Sequence, residues 1–422
     1  SKQAKICVVG LGYVGLPLVV SLVNKGYYVY GFDTNRRRIQ RLKRGIGYIV
    51  DIDPVQIKSF ITKDRFKPTS SQKVLTRADI IIVCVPTPLR KVKIPDISYV
   101  LKASKTIAEC LRPNQLVILE STSFPTTTKE KVLPILRRSK LKIDKDFFLC
   151  FSPERVNPGD KKYPVTKIPK VVGGVSKKSG RLAKVLYGKI INKVITVSTA
   201  EVAETSKLLE NTFRMVNIAL ANEFAMLCHK LDIDIWEVIK AAKTKPFGFM
   251  PFYPGPGVGG HCIPADPIYL SWKAKRIGFK TKMIDLASLV NHSMPEYIIK
   301  RLKEILKARG VSWAEAKILV VGVTYKKDVK DLRESPALEV IQGLRREKIK
   351  VDYYDPLIKR LDIGNIKSSS IKLRPAKVKS YHCLLIITAH SSIDYQMLRQ
   401  QAQFIFDTRN IYKKDYSNVI RL

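Results

Sequence analysis

With 422 residues, 45% of them apolar and 27% charged, the chain is long enough for two or three domains with real cores. It contains no uncharged apolar run of about 18 residues, and it opens directly on the strand-like stretch Ala4 to Val9, so neither a membrane span nor a signal peptide is expected and a cytoplasmic protein is. The formal charge of +40, from 76 Lys and Arg against 36 Asp and Glu, is spread along the whole chain rather than gathered beside a nucleic-acid module, which argues against specific nucleic-acid binding and for attraction of a small polyanion.

Lys5 to Gly10 reads as a short buried strand that runs into Gly10-Leu-Gly12-Tyr-Val-Gly15. An apolar helix from Leu16 to Asn24 and a second strand from Tyr27 to Phe32, ending on Asp33, follow. Strand, G-x-G-x-x-G, helix, strand and acid in this order make a dinucleotide cradle. Gly10, Gly12, Tyr13, Val14 and Gly15 form it: Gly12 lets the backbone approach the pyrophosphate, Gly15 lets the helix pack on the strand, and the helix N-terminus supplies N–H donors. Asp33 is placed to accept from the adenosine ribose hydroxyls, which favours NAD. Arg38, last of the run Arg36 to Arg38, could instead stack on adenine or hold a 2′-phosphate.

Strand-like runs then alternate with helical ones at Asp79 to Val85, Leu116 to Glu120, Phe147 to Phe151 and Lys170 to Val172. The alternation predicts an α/β fold with a parallel, doubly wound sheet whose ligand sits at the strands' C-terminal ends. Thr87, Thr122 and the segment Ser152 to Gly159 fall in the loops there; each threonine could equally cap its strand end. From Thr199 to Lys230 the pattern is one long helix. Glu204, Lys207, Asn211 and Arg214 recur on one stripe of it, and the remaining faces are apolar enough that burial of those faces is expected, with the polar stripe lining a site or an interface.

Helical stretches Ile235 to Lys243 and Ile268 to Arg276 flank the loop Gly255-Pro-Gly-Val-Gly-Gly-His-Cys-Ile-Pro-Ala-Asp-Pro267. Glycines and prolines stiffen and shape this loop around one thiol, Cys262, with the Asp266 carboxylate four residues later. The other cysteines (Cys7, Cys84, Cys110, Cys150, Cys228, Cys383) are scattered without CxxC spacing, and no metal site is expected because no second pair completes a tetrahedral set with His261 and Cys262. Near Ala316 the opening plan repeats: strand Lys317 to Gly322, helix Pro336 to Arg346, strand Lys350 to Tyr354 and Asp355, without the later glycines of the fingerprint. Further strands are read at Tyr381 to Thr388 and Gln403 to Asp407. The expected domains are an N-terminal Rossmann domain (1–198), a central helical domain with the cysteine loop (199–298) and a C-terminal Rossmann-like domain (299–422).

GLGYVGLP at one end, Lys207 and Asn211 on the long helix, GVGGHCIPADP and the second Rossmann-like half together resemble the UDP-glucose/GDP-mannose dehydrogenase family over essentially the whole chain. The run KPFGFMPFYPGPGVGGHCIPADP is most similar to its UDP-N-acetylhexosamine branch. The resemblance implies oxidation of a sugar nucleotide's C6 alcohol to a carboxylate with two NAD, UDP-N-acetylglucosamine being the favoured substrate. Ala265 stands where UDP-glucose enzymes usually carry Lys, and Lys245-Pro-Phe-Gly-Phe stands where UDP-N-acetylmannosamine enzymes usually carry His-Pro-Arg; both substrates stay as alternatives. A protein of another class, sensing NAD while its basic surface holds an anionic polymer, is the further alternative.

The same resemblance implies roles. Cys262 forms a thiohemiacetal and then a thioester; Lys207 and Asn211 serve the thiolate and the oxyanion; Thr122 and Glu154 handle water near C6, Glu154 as base for thioester hydrolysis. Asp266 orients water or Lys207, or accepts protons. Some members carry a second Glu where this chain has Pro158, which leaves the base to Glu154 and Asp266. Arg155, Val156, Arg214, Gly259, Tyr325, Lys326 and Arg409 hold the sugar nucleotide, Arg333 contacts the cofactor, and the protein is a homodimer.

Overall fold

The computed structural model describes residues 4–49, 52–90, 94–155 and 167–422. Val156 and Pro158 therefore lie outside the described residues. The chain forms two compact units, one of residues up to Glu210 with Ile268–Phe279, the other of Asn211–Pro267 with Lys280–Leu422.

The first unit is built on eight strands: β1 (Lys5–Val9), β2 (Tyr28–Phe32), β3 (Phe66–Thr69), β4 (Ile80–Val83), β5 (Gln115–Leu119), β6 (Phe147–Phe151), β7 (Lys170–Gly174) and β8 (Val194–Val197). Their spatial order is β3-β2-β1-β4-β5-β6-β7-β8. The first six are parallel in the doubly wound dinucleotide-binding order. Helices cover both faces, so alternate residues of one strand enter separate cores: Ile6 and Val8 join Leu16, Val19 and Leu22 of the helix Gly15–Asn24, while Cys7 and Val9 join Val100, Leu133 and Leu136.

One expectation fails here. β7 runs antiparallel to β6, pairing Cys150 with Gly174 and Phe151 with Gly173, and β8 is parallel to β7. A doubly buried apolar run reads the same in either direction, and an antiparallel neighbour needs no crossover helix, so sequence alternation does not fix its sense. The reversal has a positional effect: the first residue of β7, Lys170, arrives at the edge where β4, β5 and β6 end.

In the second unit β9 (Lys317–Val321), β10 (Lys350–Tyr354), β13 (Cys383–Ile386), β14 (Ile405–Asp407) and β15 (Val419–Arg421) form an all-parallel sheet ordered β10-β9-β13-β14-β15. This is the other common doubly wound order. β11 (Arg360–Ile363) and β12 (Ile366–Ser369) make a separate antiparallel hairpin.

The long helix spans Ala200–Lys230, 31 residues. Its burial departs in part from the expected one: Leu208 and Met215 are buried, but much of the apolar surface is not. Glu204, Lys207 and Asn211 are buried, whereas Val202, Leu209, Phe213, Leu220, Phe224 and Leu227 stand exposed, Leu209 at 64% and Phe224 at 45%. Arg214 is exposed as well. Apolar periodicity identified the helix but not which face this chain covers. A second long helix, Lys282–Ala308, runs 27 residues through the interior Pro295, and the boundary expected after residue 298 falls inside it.

Candidate active site

The fingerprint turn joins β1 to the helix Gly15–Asn24. A Cβ on Gly15 would lie 1.9 Å from the Gly10 carbonyl oxygen, so the helix closes on the strand only with glycine there. A Cβ at Gly12 would meet nothing within 4 Å, which leaves the backbone open on the side where a pyrophosphate docks. Tyr13 is exposed and Val14 half-buried beside it.

Asp33, buried at the end of β2, accepts from Leu11 N at 2.9 Å and Asn35 N at 2.8 Å. It also pairs with Arg38 at 2.7 Å. Arg38 lies over the Tyr48 ring, whose hydroxyl donates to the Leu11 carbonyl at 2.6 Å. The arginine that could have held a 2′-phosphate is thus engaged by the carboxylate that serves a ribose. These residues fit NAD.

At the C-terminal ends of the next strands lie the other expected groups of this unit. Thr87 and Thr122 are half-buried after β4 and β5; the Thr87 carbonyl accepts from Tyr269 Oη at 2.7 Å. After β6, Glu154 Oε1 accepts from Arg155 N at 2.7 Å, and its Oε2 lies 3.3 Å from Lys170 Nζ. Lys170 Nζ is also 3.2 Å from Glu120 Oε2, and Tyr187 Oη donates to Glu120. Burial pushes the Glu120 carboxyl up, against the pull of Lys170. Burial disfavours the Lys170 cation, but Glu120 and Glu154 more than offset it and hold its pKa above the ordinary value. Arg155 is turned to a carboxylate of the protein, reaching Glu210 at 2.7 Å and the Pro169 carbonyl at 2.7 Å.

The long helix carries Lys207, buried to 9% exposure, one turn before Asn211. Glu204, one turn earlier, accepts from Thr126 N at 2.6 Å, Thr128 N at 2.8 Å and Thr128 Oγ1 at 2.7 Å. It therefore clamps the far end of the loop that carries Thr122.

In the second unit, Cys262 is half-buried, and its carbonyl accepts from Asp266 N at 2.8 Å, a turn that leads into the helix Asp266–Arg276. The buried Asp266 carboxylate accepts from Asn211 Nδ2. The loop is fixed from both sides. Gly255 N donates to Asn222 Oδ1 at 2.9 Å, Asn222 donates to Asn291, and Asn291 donates to the Met215 carbonyl. On the other side Gly260 N donates to the Arg333 carbonyl at 3.0 Å. Gly260 has φ +84°, and a Cβ on it would lie 2.8 Å from the Tyr325 ring. Gly259 packs as closely on Tyr325 Cβ. Burial raises the Tyr325 pKa, and the charges of Asp331, Cys262, Arg333 and Arg214 all act on this phenol.

The remaining expected contacts lie around that loop. Arg333 chelates Asp331 at 2.6 Å. Lys326 is half-buried next to Tyr325, and its carbonyl accepts from Thr324 Oγ1 at 2.9 Å. Arg409 donates to the Ile387 carbonyl at 2.7 Å and faces Gly255, with burial pushing its pKa down to about 10.

Models of the UDP-glucose/GDP-mannose dehydrogenase family match the chain in three segments: NAD binding domain at residues 4–191, central domain at 201–293 and UDP binding domain at 319–414. The chain belongs to this family. A UDP-N-acetyl-D-glucosamine 6-dehydrogenase of Pseudomonas aeruginosa is 35% identical over 99% of both chains. A UDP-N-acetyl-D-mannosamine dehydrogenase of Pyrococcus horikoshii is 35% identical over 97% of this chain and 96% of that one. A solved UDP-D-ManNAc dehydrogenase structure from Pyrococcus horikoshii superposes with a TM-score of 0.89 at 34% identity, over 99% of this chain and 98% of that one. As a UDP-glucose/GDP-mannose dehydrogenase, the protein is an NAD-dependent oxidoreductase with a UDP binding domain, which replaces the reading as an NAD sensor.

Four groups at or beside these sites escaped sequence reading: Glu120, Lys170, Asn222 and Tyr187. Glu120, Lys170 and Tyr187 stand at the ends of apolar elements, and Asn222 sits inside the long helix. A lysine opening the buried run KVVGG was the available signal, since lysine is rarely so buried unless paired.

Proposed function

We propose that the protein oxidises the C6 hydroxymethyl of a UDP-N-acetylhexosamine, UDP-N-acetylglucosamine by preference, to the uronic acid in the reducing cytoplasm, with Cys262 as covalent nucleophile. The observation that carries the reading is the turn from Cys262 to Asp266, which sets a half-buried thiol one turn from the buried Asn211–Asp266 pair. NAD supplies the hydride acceptor for each of the two oxidations. The C6 hydroxyl gives up the first hydride and passes its proton to Asp266, leaving the aldehyde; the Cys262 thiolate adds to its carbon, and the thiohemiacetal oxyanion loses the second hydride to become a thioester. The Lys207 cation and the Asn211 amide stabilise the C6 oxyanion. Water then adds to the thioester carbon with its proton passing to Glu154; the C–S bond breaks, the Cys262 thiolate leaves, and the product carboxyl ionises.

Ala265 and the Lys245-Pro-Phe-Gly-Phe run support UDP-N-acetylglucosamine over the glucose and mannosamine substrates. Arg155, Arg214, Tyr325, Lys326 and Arg409 supply cations and donors suited to a UDP pyrophosphate. The working form is a homodimer, a second copy covering the apolar face of the helix Ala200–Lys230.

The test is NADH formed per sugar consumed with UDP-N-acetylglucosamine, UDP-N-acetylmannosamine and UDP-glucose. Two NADH per sugar, and the highest kcat/KM with the first, are expected; Cys262→Ala should make no acid. Acid formed by that variant at the normal rate refutes the covalent route, and a higher kcat/KM with either other sugar refutes the substrate.

A further inference from the structure

We propose that Lys170 is a positioning residue for thioester hydrolysis: anchored by Glu120 and Tyr187, it holds the Glu154 carboxylate where it meets the incoming water. The inference rests on the reading of Glu154 as the base.

In a wholly parallel sheet the first residue of β7 would lie at the edge away from the ligand. Because β7 is antiparallel to β6, Lys170 stands instead beside the ends of β5 and β6, which deliver Glu120 and Glu154. The three side chains are graded in depth, with Glu120 at 0%, Lys170 at 8% and Glu154 at 22% exposure. Lys170 Nζ bridges the deep and the outer carboxylate at 3.2 and 3.3 Å. It also lies 5.3 Å from the centroid of the Tyr187 ring, whose hydroxyl fixes Glu120 from behind. One partner is enough to neutralise a lysine, so the second carboxylate is not needed for charge balance. A buried ion cluster also contributes little to stability over an apolar replacement. What the cluster provides is direction. Glu154 is held through Oε2 by Lys170 and through Oε1 by Arg155 N, which fixes the plane of its carboxylate.

A base takes a proton only from a water within hydrogen-bond reach, and a misplacement of about 1 Å costs on the order of a hundredfold in rate. Lys170 itself exchanges no proton. The water proton goes to Glu154, the C–S bond to Cys262 breaks and the sulfur leaves as thiolate, with no further redox partner needed. The steps before the thioester do not use Glu154, so loss of Lys170 should leave them intact and slow only its hydrolysis.

The experiment is rapid-mix turnover with UDP-N-acetylglucosamine and NAD, reading NADH and the intact protein mass together. Lys170→Met should release a burst of two NADH per site, then turn over on the order of a hundredfold more slowly, with the acyl adduct on Cys262 as the dominant mass. Because that change strands Glu120 as a buried charge, the double variant Lys170→Met with Glu120→Gln, which removes both charges, is run beside it. Glu154→Gln is the control for the parent reading. Adduct in Glu154→Gln and in the double variant supports the proposal. Adduct in Glu154→Gln with normal hydrolysis in a folded double variant overturns the role of Lys170 alone. No adduct in Glu154→Gln overturns the base assignment and the proposal with it.

Discussion

Glu204 shows how a side chain that looks catalytic can serve the loop beside the chemistry. It has three donors in the Thr126–Thr128 segment, yet burial raises its pKa to about 7, with those donors opposing the shift. A folded-state pKa above the unfolded one means that the folded protein binds the extra proton more tightly. The contribution is therefore complete below the ordinary carboxylate range and is lost as pH rises through about 7. Thermal melts should show Tm falling by a few degrees between pH 5 and pH 8, and Glu204→Gln, which has no charge to desolvate, should flatten that slope. An unchanged slope would assign the pH dependence to other groups. Cys262, Asn211 and Asp266 were legible in the sequence because a loop of glycines and prolines, and a polar residue on an apolar helix, break a local pattern. Lys170 and Glu120 were not, because their meaning depends on the direction of a strand two elements away.

Among the elements, the helix Ala200–Lys230 was the most legible in extent and the least in orientation. Its ends were found to within a residue, but its apolar residues were expected inside. Leu209, Phe213, Leu220, Phe224 and Leu227 instead form an exposed stripe at spacings of three, four and seven. Monomers rarely leave so long a contiguous apolar surface uncovered. A carboxylate placed in its middle, as in Leu220→Glu or Phe224→Glu, should convert a dimer to a monomer in light scattering with the helical circular dichroism signal retained; a dimer that survives both changes would move the interface elsewhere. The helix Lys282–Ala308 went unread because Pro295 and the polar run around His292 interrupt its periodicity, while its buried Ile298, Leu302 and Leu306 supply the packing that keeps it continuous. The hairpin of β11 and β12 is short and polar, with too little alternation to register.

Over the whole molecule, the charge of +40 acts on every encounter with a nucleotide anion. At physiological ionic strength the screening length is about 8 Å, so salt weakens the long-range attraction and leaves close contacts largely intact. KM for the UDP-sugar should rise several-fold from 20 to 500 mM salt with kcat nearly constant, in initial rates at saturating NAD; a flat KM would confine the charge to other roles. Both doubly wound sheets were foreseeable because each repeats a local strand, helix, strand and acid plan. How the two copies of the proposed homodimer would meet was not, since no pattern within one chain records its partner. That partner also bears on how the fold is reached. The apolar stripe leaves the ribosome with residues 202–227, ahead of the whole second sheet, so in the proposed homodimer each newly made chain would carry it uncovered until another copy arrives. Maturation of the proposed dimer would then contain a bimolecular step, and the supply of finished enzyme would scale with more than the first power of the chains being made.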